Sequence, residues 1–335
     1  MDPLTRLSYL DALRGFAIIL VVGLHAHGYA FHEGTESLGS FNNIWISISG
    51  AAVPIFFFVD GWLTARSQGR IVAPRFDEVV RKSIRRLLIP WFIFNIIYVG
   101  LRAVFEARGL FPTHLIMGQP IGVVFSNIIR SRIAMQLYFL PALFLIRIAA
   151  FPLGRIARSP IFVFVAIWLG YVALTRTGAV KLDTDPISQA FIGFQYFLFG
   201  MLVFRLEQSD TRRWLILIGL LAPVAIAQAF FDLPGPIDRF SYDTAKYGII
   251  VATYLASKWT TWDHSPLRWI GQRSMQIYLL HAPVVLKVVQ IVVWKVTQAL
   301  IFRFLLIWAL TLLASVMITM VLARFPQSRR IFGEA

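Results

Sequence analysis

The chain has 335 residues, 58% of them hydrophobic and only 15% charged, which is too little polar surface to cover a water-soluble particle of this size. Its formal charge of +15 fits the basic loops of a membrane protein and does not call for a nucleic-acid partner. The absence of cysteine excludes disulfides, thiol nucleophiles and thiolate-held zinc, and no metal site is expected.

Apolar stretches near the length needed to cross about 30 Å of hydrocarbon recur throughout. Ten spans are predicted, at 9–31, 44–66, 83–105, 132–150, 161–175, 188–205, 213–231, 246–260, 272–294 and 300–323. The fold class is therefore all-α, a polytopic integral membrane protein of about ten transmembrane helices around a polar cavity. Residues 1–335 are expected to form one transmembrane domain with no appended soluble domain. The first apolar stretch lacks a small-residue cleavage site before His32 and Glu33, so it is read as a retained helix. Loop charges set the orientation. Arg6, the basic stretch 66–86, Arg147, Arg155, Arg158, Arg205, Arg212, Arg213, Lys258, Arg268, Arg273, Arg324, Arg329 and Arg330 fall on one side, while the first opposite loop, HEGTESLGS, has no Lys or Arg. This places both termini in the cytoplasm.

The first span, SYLDALRGFAIILVVGLHAHGYAF, carries Asp11, Arg14 and His25 among aliphatic residues. At about 100° per residue, Asp11 at 0°, Arg14 near 300° and His25 near 320° share one helix face, whereas His27 near 160° lies opposite. His25 stands ~16 Å along the axis from Arg14. Ionisable side chains inside a bilayer usually face a bundle interior and are functional candidates. The plainer alternatives are an interfacial Asp11–Arg14 pair and a histidine that only packs helices. The second span, GAAVPIFFFVDGWLTARSQGR, returns with Asp60 at roughly the depth of Arg14, where the two could neutralise each other; an Asp at the membrane edge reaching water is the alternative. DEVVRKSIRRLLIPWFIFN then runs Arg81, Lys82, Arg85 and Arg86 into the third span. Such a cluster can be a positive-inside anchor or a grip on a polyanion, and Arg81 and Arg85, spaced i,i+4, share a face. Between the third and fourth spans, IGVVFSNIIRSR reads as an interfacial amphipathic helix. No internal repeat or low-complexity tract is apparent.

These stretches resemble, in order, the membrane acyltransferase family 3. YLDALRGFAIILVVGLHA is similar to its opening helix, with the L-D-x-L-R-G run and a histidine ten residues after the glycine. FFFVDGWL, RRLLIPW, LYFLPALFL, FQYFLFGML and WIGQRSMQIYLLHAPVV resemble its later landmarks, so the likeness spans about residues 8 to 290. Asp60 stands where the family usually has Ser, and the family's R-x-x-R spacing is kept only from Lys82 to Arg85. The resemblance implies transfer of an acyl group, most simply acetyl, from acyl-coenzyme A to a hydroxyl of a carbohydrate, glycolipid or related envelope molecule. It implies His25 as general base and Arg14 with the 81–86 cluster on the donor side; Asp11, on the same helix face, joins His25 and Arg14 as a catalytic candidate. Acyl-CoA is then a co-substrate, with no permanently bound cofactor. Tyr138, Gln195 and His281 are candidates for the acceptor side, with Asp60 beside them. The expected location is the inner, cytoplasmic membrane, where the protein meets membrane lipid and works alone or with a separate extracytoplasmic partner protein. The rival reading is a proton-coupled transporter or flippase using Asp11, Arg14, Asp60 and His25 as a relay.

Overall fold

The computed structural model describes residues 7–31, 40–69, 74–109, 113–156, 160–176, 183–208, 236–259 and 266–333, with 216, 218 and 219 as isolated helical positions. Every regular element among them is helical. In chain order these are α1 (Ser8–Ala30), α2 (Ser40–Ser49), α3 (Ala52–Gln68), α4 (Phe76–Ser83), a π-helical turn (Ile84–Leu88) and α5 (Ile89–Ala107). Then come α6 (Ile121–Ile129), a 3₁₀ turn (Met135–Tyr138), α7 (Phe139–Ile156), α8 (Pro160–Arg176) and α9 (Pro186–Glu207). The last are α10 (Pro236–Trp259), α11 (Pro266–Gln272), α12 (Ser274–Leu280), a π turn (His281–Val285), α13 (Leu286–Val296), α14 (Leu300–Leu322) and α15 (Pro326–Ile331).

Seven stretches among the described residues are long and apolar enough to cross a membrane: Ser8–Ala30, Phe41–Gln68, Phe76–Ala107, Met135–Pro152, Pro186–Glu207, Ser274–Val296 and Leu300–Leu322. The protein is an all-α polytopic membrane protein, and the count of ten is not reached within this set. The stretch expected at 161–175 is helical and apolar, and α8, at 17 residues, is shorter than the seven. The one expected at 246–260 is the apolar end of α10, whose first half, PIDRFSYDTAK, is too polar for a span. The span expected at 213–231 lies outside the described residues apart from the three isolated positions.

The chain divides into two compact units, Met1–Asp60 with Val203–Val321, and Gly61–Leu202 with Leu322–Ala335. In the first, the core lies between α1 and the segment from α11 to α14. Ala26, Ala30, Ala282, Leu286, Phe304 and Ile307 are buried together there. In the second, the end of α5 is clamped to the following loop. The Glu106 carboxylate accepts backbone N–H groups from Leu115, Ile116 and Met117 and the Arg102 Nε at 2.8 Å. Asn127 of α6 donates to the Leu115 carbonyl at 3.0 Å and ties that helix to the same loop. Ile121, Phe125 and Ile129 remain exposed on α6, the apolar stripe expected of an interfacial helix.

The start of α9 is fixed by chemistry visible in the sequence. Pro186 occupies the first helical position, and Asp185 before it accepts the N–H groups of Ile187 at 2.9 Å and Ser188 at 3.2 Å. Burial pushes the Asp185 carboxyl up, but the Ser188 hydroxyl and these backbone donors outweigh it and leave it below the usual carboxylate range. A carboxyl depressed in the folded state contributes stability above its ordinary pKa and loses it as pH falls through the folded value. Asp185→Ala is therefore expected to lower stability by about 1 kcal/mol near neutral pH. The difference from the parent should shrink on acidification, read from melting curves at pH 7 and below 4.

Candidate active site

Asp11 sits in the first turn of α1, where the helix dipole favours a carboxylate. Its side chain is only 3% exposed and forms an ion pair with Arg14 at 3.7 Å. The Gln272 amide donates a long hydrogen bond to its Oδ2 at 3.5 Å. This burial follows from two glycines. A Cβ on Gly271 would lie 1.6 Å from the Asp11 carbonyl oxygen, and one on Gly15 would lie 1.9 Å from the Leu267 carbonyl oxygen. α1 and α11 therefore touch backbone to backbone, with residues 11 and 15 meeting 271 and 267 in opposite directions. Only glycine on each helix permits that approach. At the same end of α1, the Tyr9 ring packs edge-on against Tyr254 at 5.9 Å, and Lys258 pairs with Glu207 at 2.5 Å beside both rings.

Beyond α11 the chain turns and runs along α1, so that His281 meets His25 and Gln290 meets Tyr29. The two imidazole rings lie 5.2 Å apart with 47° between their planes. His281 stands where the helix breaks. α12 ends at Leu280 and Ala282 has a non-helical backbone, immediately before the cis peptide to Pro283. Carbonyls in the last turn of a helix lack intrahelical donors. The His281 Nδ1 supplies one, at 2.8 Å from the Tyr278 oxygen and 3.3 Å from that of Ile277. A backbone carbonyl only accepts, so Nδ1 carries a proton, and in the neutral ring Nε2 is then the nitrogen with the lone pair. His281 is fully buried, and its Nε2 has no hydrogen-bond partner among the described residues. The arrangement thus sets the His281 ring, held through Nδ1, beside the partly exposed His25.

The helical-wheel separation of the two histidines on α1 holds in three dimensions. His27 lies against Phe31 at 4.7 Å and Phe304 at 5.9 Å, within an aromatic cluster that includes Trp45 and Trp308. Gly23 lies beneath the indoles of Trp45 and Trp308, and Trp308 donates its Nε1–H to the Ile19 carbonyl at 3.0 Å. His27 makes packing contacts and a hydrogen bond with Asn42. His27→Phe should cost about 1 kcal/mol through the lost hydrogen bond and leave the transfer rate within twofold of the parent, measured side by side in one assay.

The far end of α1 is held by residues that sequence reasoning passed over. Gln290 donates to the Tyr29 carbonyl at 3.0 Å. Arg303, buried on α14, reaches the Ala30 carbonyl at 3.5 Å and Gln298 Oε1 at 2.6 Å, and stacks over Trp294 at 4.6 Å. The signal for Arg303 was present, since a lone arginine in the apolar run LIFRFLLIW calls for a partner.

The remaining predicted residues divide between the units. Asp60 is buried on α3 and belongs to the same unit as Asp11, Arg14, His25 and His281. Gln195, fully buried on α9, and Tyr138, half-buried at the end of the 3₁₀ turn, belong to the other. So do Arg81, Lys82, Arg85 and Arg86, all four exposed. Arg81 and Arg85 line one groove, which Lys82 and Arg86 do not. Among the described residues no group of three or more His, Asp or Glu side chains could hold a metal ion.

A family model described as an acyltransferase domain, that of acyltransferase family 3, matches residues 7–324, nearly the whole chain. No curated protein and no solved structure gives a match.

Proposed function

The chain belongs to the acyltransferase-3 family, and we propose that it moves an acyl group, most simply acetyl, from acyl-coenzyme A to a hydroxyl of a carbohydrate or related cell-envelope acceptor, with His25 as general base. The observation that carries this reading is the His25–His281 ring pair, on the α1 face that also bears Asp11 and Arg14. A neutral imidazole can take a hydroxyl proton near neutral pH. The freed oxygen attacks the thioester carbonyl carbon. The tetrahedral intermediate then expels the coenzyme A thiolate, which takes the proton back from the imidazolium. Atoms and charges balance without a covalent acyl-enzyme, and the chain has no cysteine to form a thioester. His281 is assigned to the acceptor side, its ring orientation set by the bond from Nδ1 to the Tyr278 carbonyl.

Phosphates on the donor need cations, and Lys82 and Arg86 are the pair we assign to them. Asp60, Tyr138 and Gln195 are assigned to the acceptor side. Acyl-CoA is made in the cytoplasm, and with the loop charges this supports an inner-membrane location with both termini cytoplasmic. The test is transfer from labelled acetyl-CoA to a panel of mono- and oligosaccharides by purified full-length protein. Label in the sugar, with stoichiometric release of free coenzyme A, supports the reading. Failure of acetyl-CoA to bind or turn over with any acceptor, alongside proton-dependent uptake of a glycan precursor into vesicles, overturns it in favour of transport.

A further inference from the structure

We propose that the groove where α4 meets α5 is a binding site for an anionic phospholipid, with the lipid phosphate held by Arg81 and Arg85 and its acyl chains lying along Ile84, Ile89 and the apolar stripe beyond. The groove has a volume of about 590 Å³, and apart from these two arginines and Asp77 its lining is apolar: Phe76, Val80, Ile84 and Ile89.

Three features identify the ligand class. The first is charge. Neither Arg81 nor Arg85 has an ion-pair partner among the described residues, while Asp77, the one carboxylate in the lining, is matched by Arg75 at 3.2 Å. Two guanidinium groups without a partner, spaced by one helical turn, suit a single phosphate, which each can grip through paired N–H donors.

The second is position. The charged run ends at Arg86, and Leu87–Val99 carries no charged side chain, so the arginines stand where the uncharged stretch begins. Basic side chains at such a boundary meet lipid headgroups.

The third is continuity. Ile84 and Ile89 are exposed, and Phe92 and Ile96 continue the exposed apolar face along α5 at helical spacing. Phe76 closes the other side and is itself fixed against Phe151 at 5.1 Å. A nucleotide would bring adenine and ribose, which need polar partners, against this carbon-lined wall. A phospholipid brings a phosphate to the arginines and hydrocarbon to the wall. The cluster that reads as one basic patch in the sequence thus divides by face, with Lys82 and Arg86 outside the groove.

This inference does not rest on acyl transfer, and the experiment keeps the two apart. Purified full-length protein in neutral detergent is melted with added phosphatidylglycerol, phosphatidylcholine, inorganic phosphate or coenzyme A, and bound lipid is counted by native mass spectrometry. Phosphatidylglycerol should raise the melting temperature where phosphatidylcholine and inorganic phosphate at the same concentration do not, and at least one phosphatidylglycerol should stay bound. Arg81→Gln/Arg85→Gln should weaken that binding roughly tenfold or more and leave the coenzyme A shift in place. Lys82→Gln/Arg86→Gln should do the reverse. If the Gln pair does not fold, Arg81→Lys/Arg85→Lys keeps the charge without the paired donors and should weaken phosphatidylglycerol binding several-fold. The proposal is overturned if phosphatidylglycerol binding survives the Arg81/Arg85 substitutions. It is equally overturned if those substitutions remove coenzyme A binding instead, or if inorganic phosphate alone reproduces the shift.

Discussion

Replacing His25 with Ala will reduce acyl transfer by about 10²–10⁴-fold, the usual contribution of a positioned general base, while the protein still folds. The second part makes the experiment decisive. His25 is partly exposed and has the His281 ring at its side, so its removal opens space without stripping a buried hydrogen bond from the backbone. The anchors of α1 lie elsewhere, at Gly15 and Gly271, at the Trp308–Ile19 bond and at the Gln290–Tyr29 bond. Melting temperature and monodispersity should therefore stay near the parent's. The loss should appear in turnover, with donor binding retained, because a base acts on the acceptor hydroxyl in the transition state. A His25→Ala protein that transfers at the parent rate removes His25 from the mechanism.

Gly271→Ala is expected to have the opposite signature, loss of the folded protein before any question of rate. The added methyl would lie 1.6 Å from the Asp11 carbonyl oxygen, against an ordinary contact of 3.4 Å or more, and the obstacle is backbone that no rotamer change can move. α1 and α11 would have to separate, opening the contacts that bury Asp11. Overpacking that forces backbone shifts typically costs about 1–3 kcal/mol or more, and here the strain falls on the helix pair that buries Asp11. Gly28→Ala is the matched control, since nothing lies within 4 Å of its added methyl. Yield of monodisperse protein and melting temperature in detergent should fall sharply for Gly271→Ala and hold for Gly28→Ala. If both melt alike, the close approach is not a structural requirement.

What the sequence revealed followed from local periodicity. The 3.6-residue repeat was enough to separate His25 from His27, because each residue's face depends only on its own helix. The all-α membrane class followed from composition, and the amphipathic stripe of α6 from spacing. What stayed hidden depends on which backbone lies opposite. Gly15 and Gly271 were both inside quoted motifs, yet nothing local says that each meets the other helix's carbonyl. Pro283 signalled a break after YLLHA, but not that His281 would turn its Nδ1 back on Tyr278. The uninterrupted RKSIRRLL run gave no hint of the π turn at Ile84–Leu88 or of the groove that takes only two of the four basic residues. The count of ten is not confirmed, and at α10 a polar first half precedes an apolar end.

The two clamps on α1 make that helix a ruler. Near its start, glycine contacts with α11 fix its rotation, and at its end Gln290 and Arg303 hold the carbonyls of Tyr29 and Ala30. A helix pinned at both ends can neither slide nor turn, so the fourteen steps from Asp11 to His25 set a constant length of about 21 Å between the ion pair and the imidazole. Point substitutions along the intervening FAIILVVGL leave that length intact. A single inserted or deleted residue between the clamps would swing His25 about 100° around the axis, away from His281, unless one clamp gave way. Chain length between these motifs is thus held more tightly than the identity of the residues that fill it.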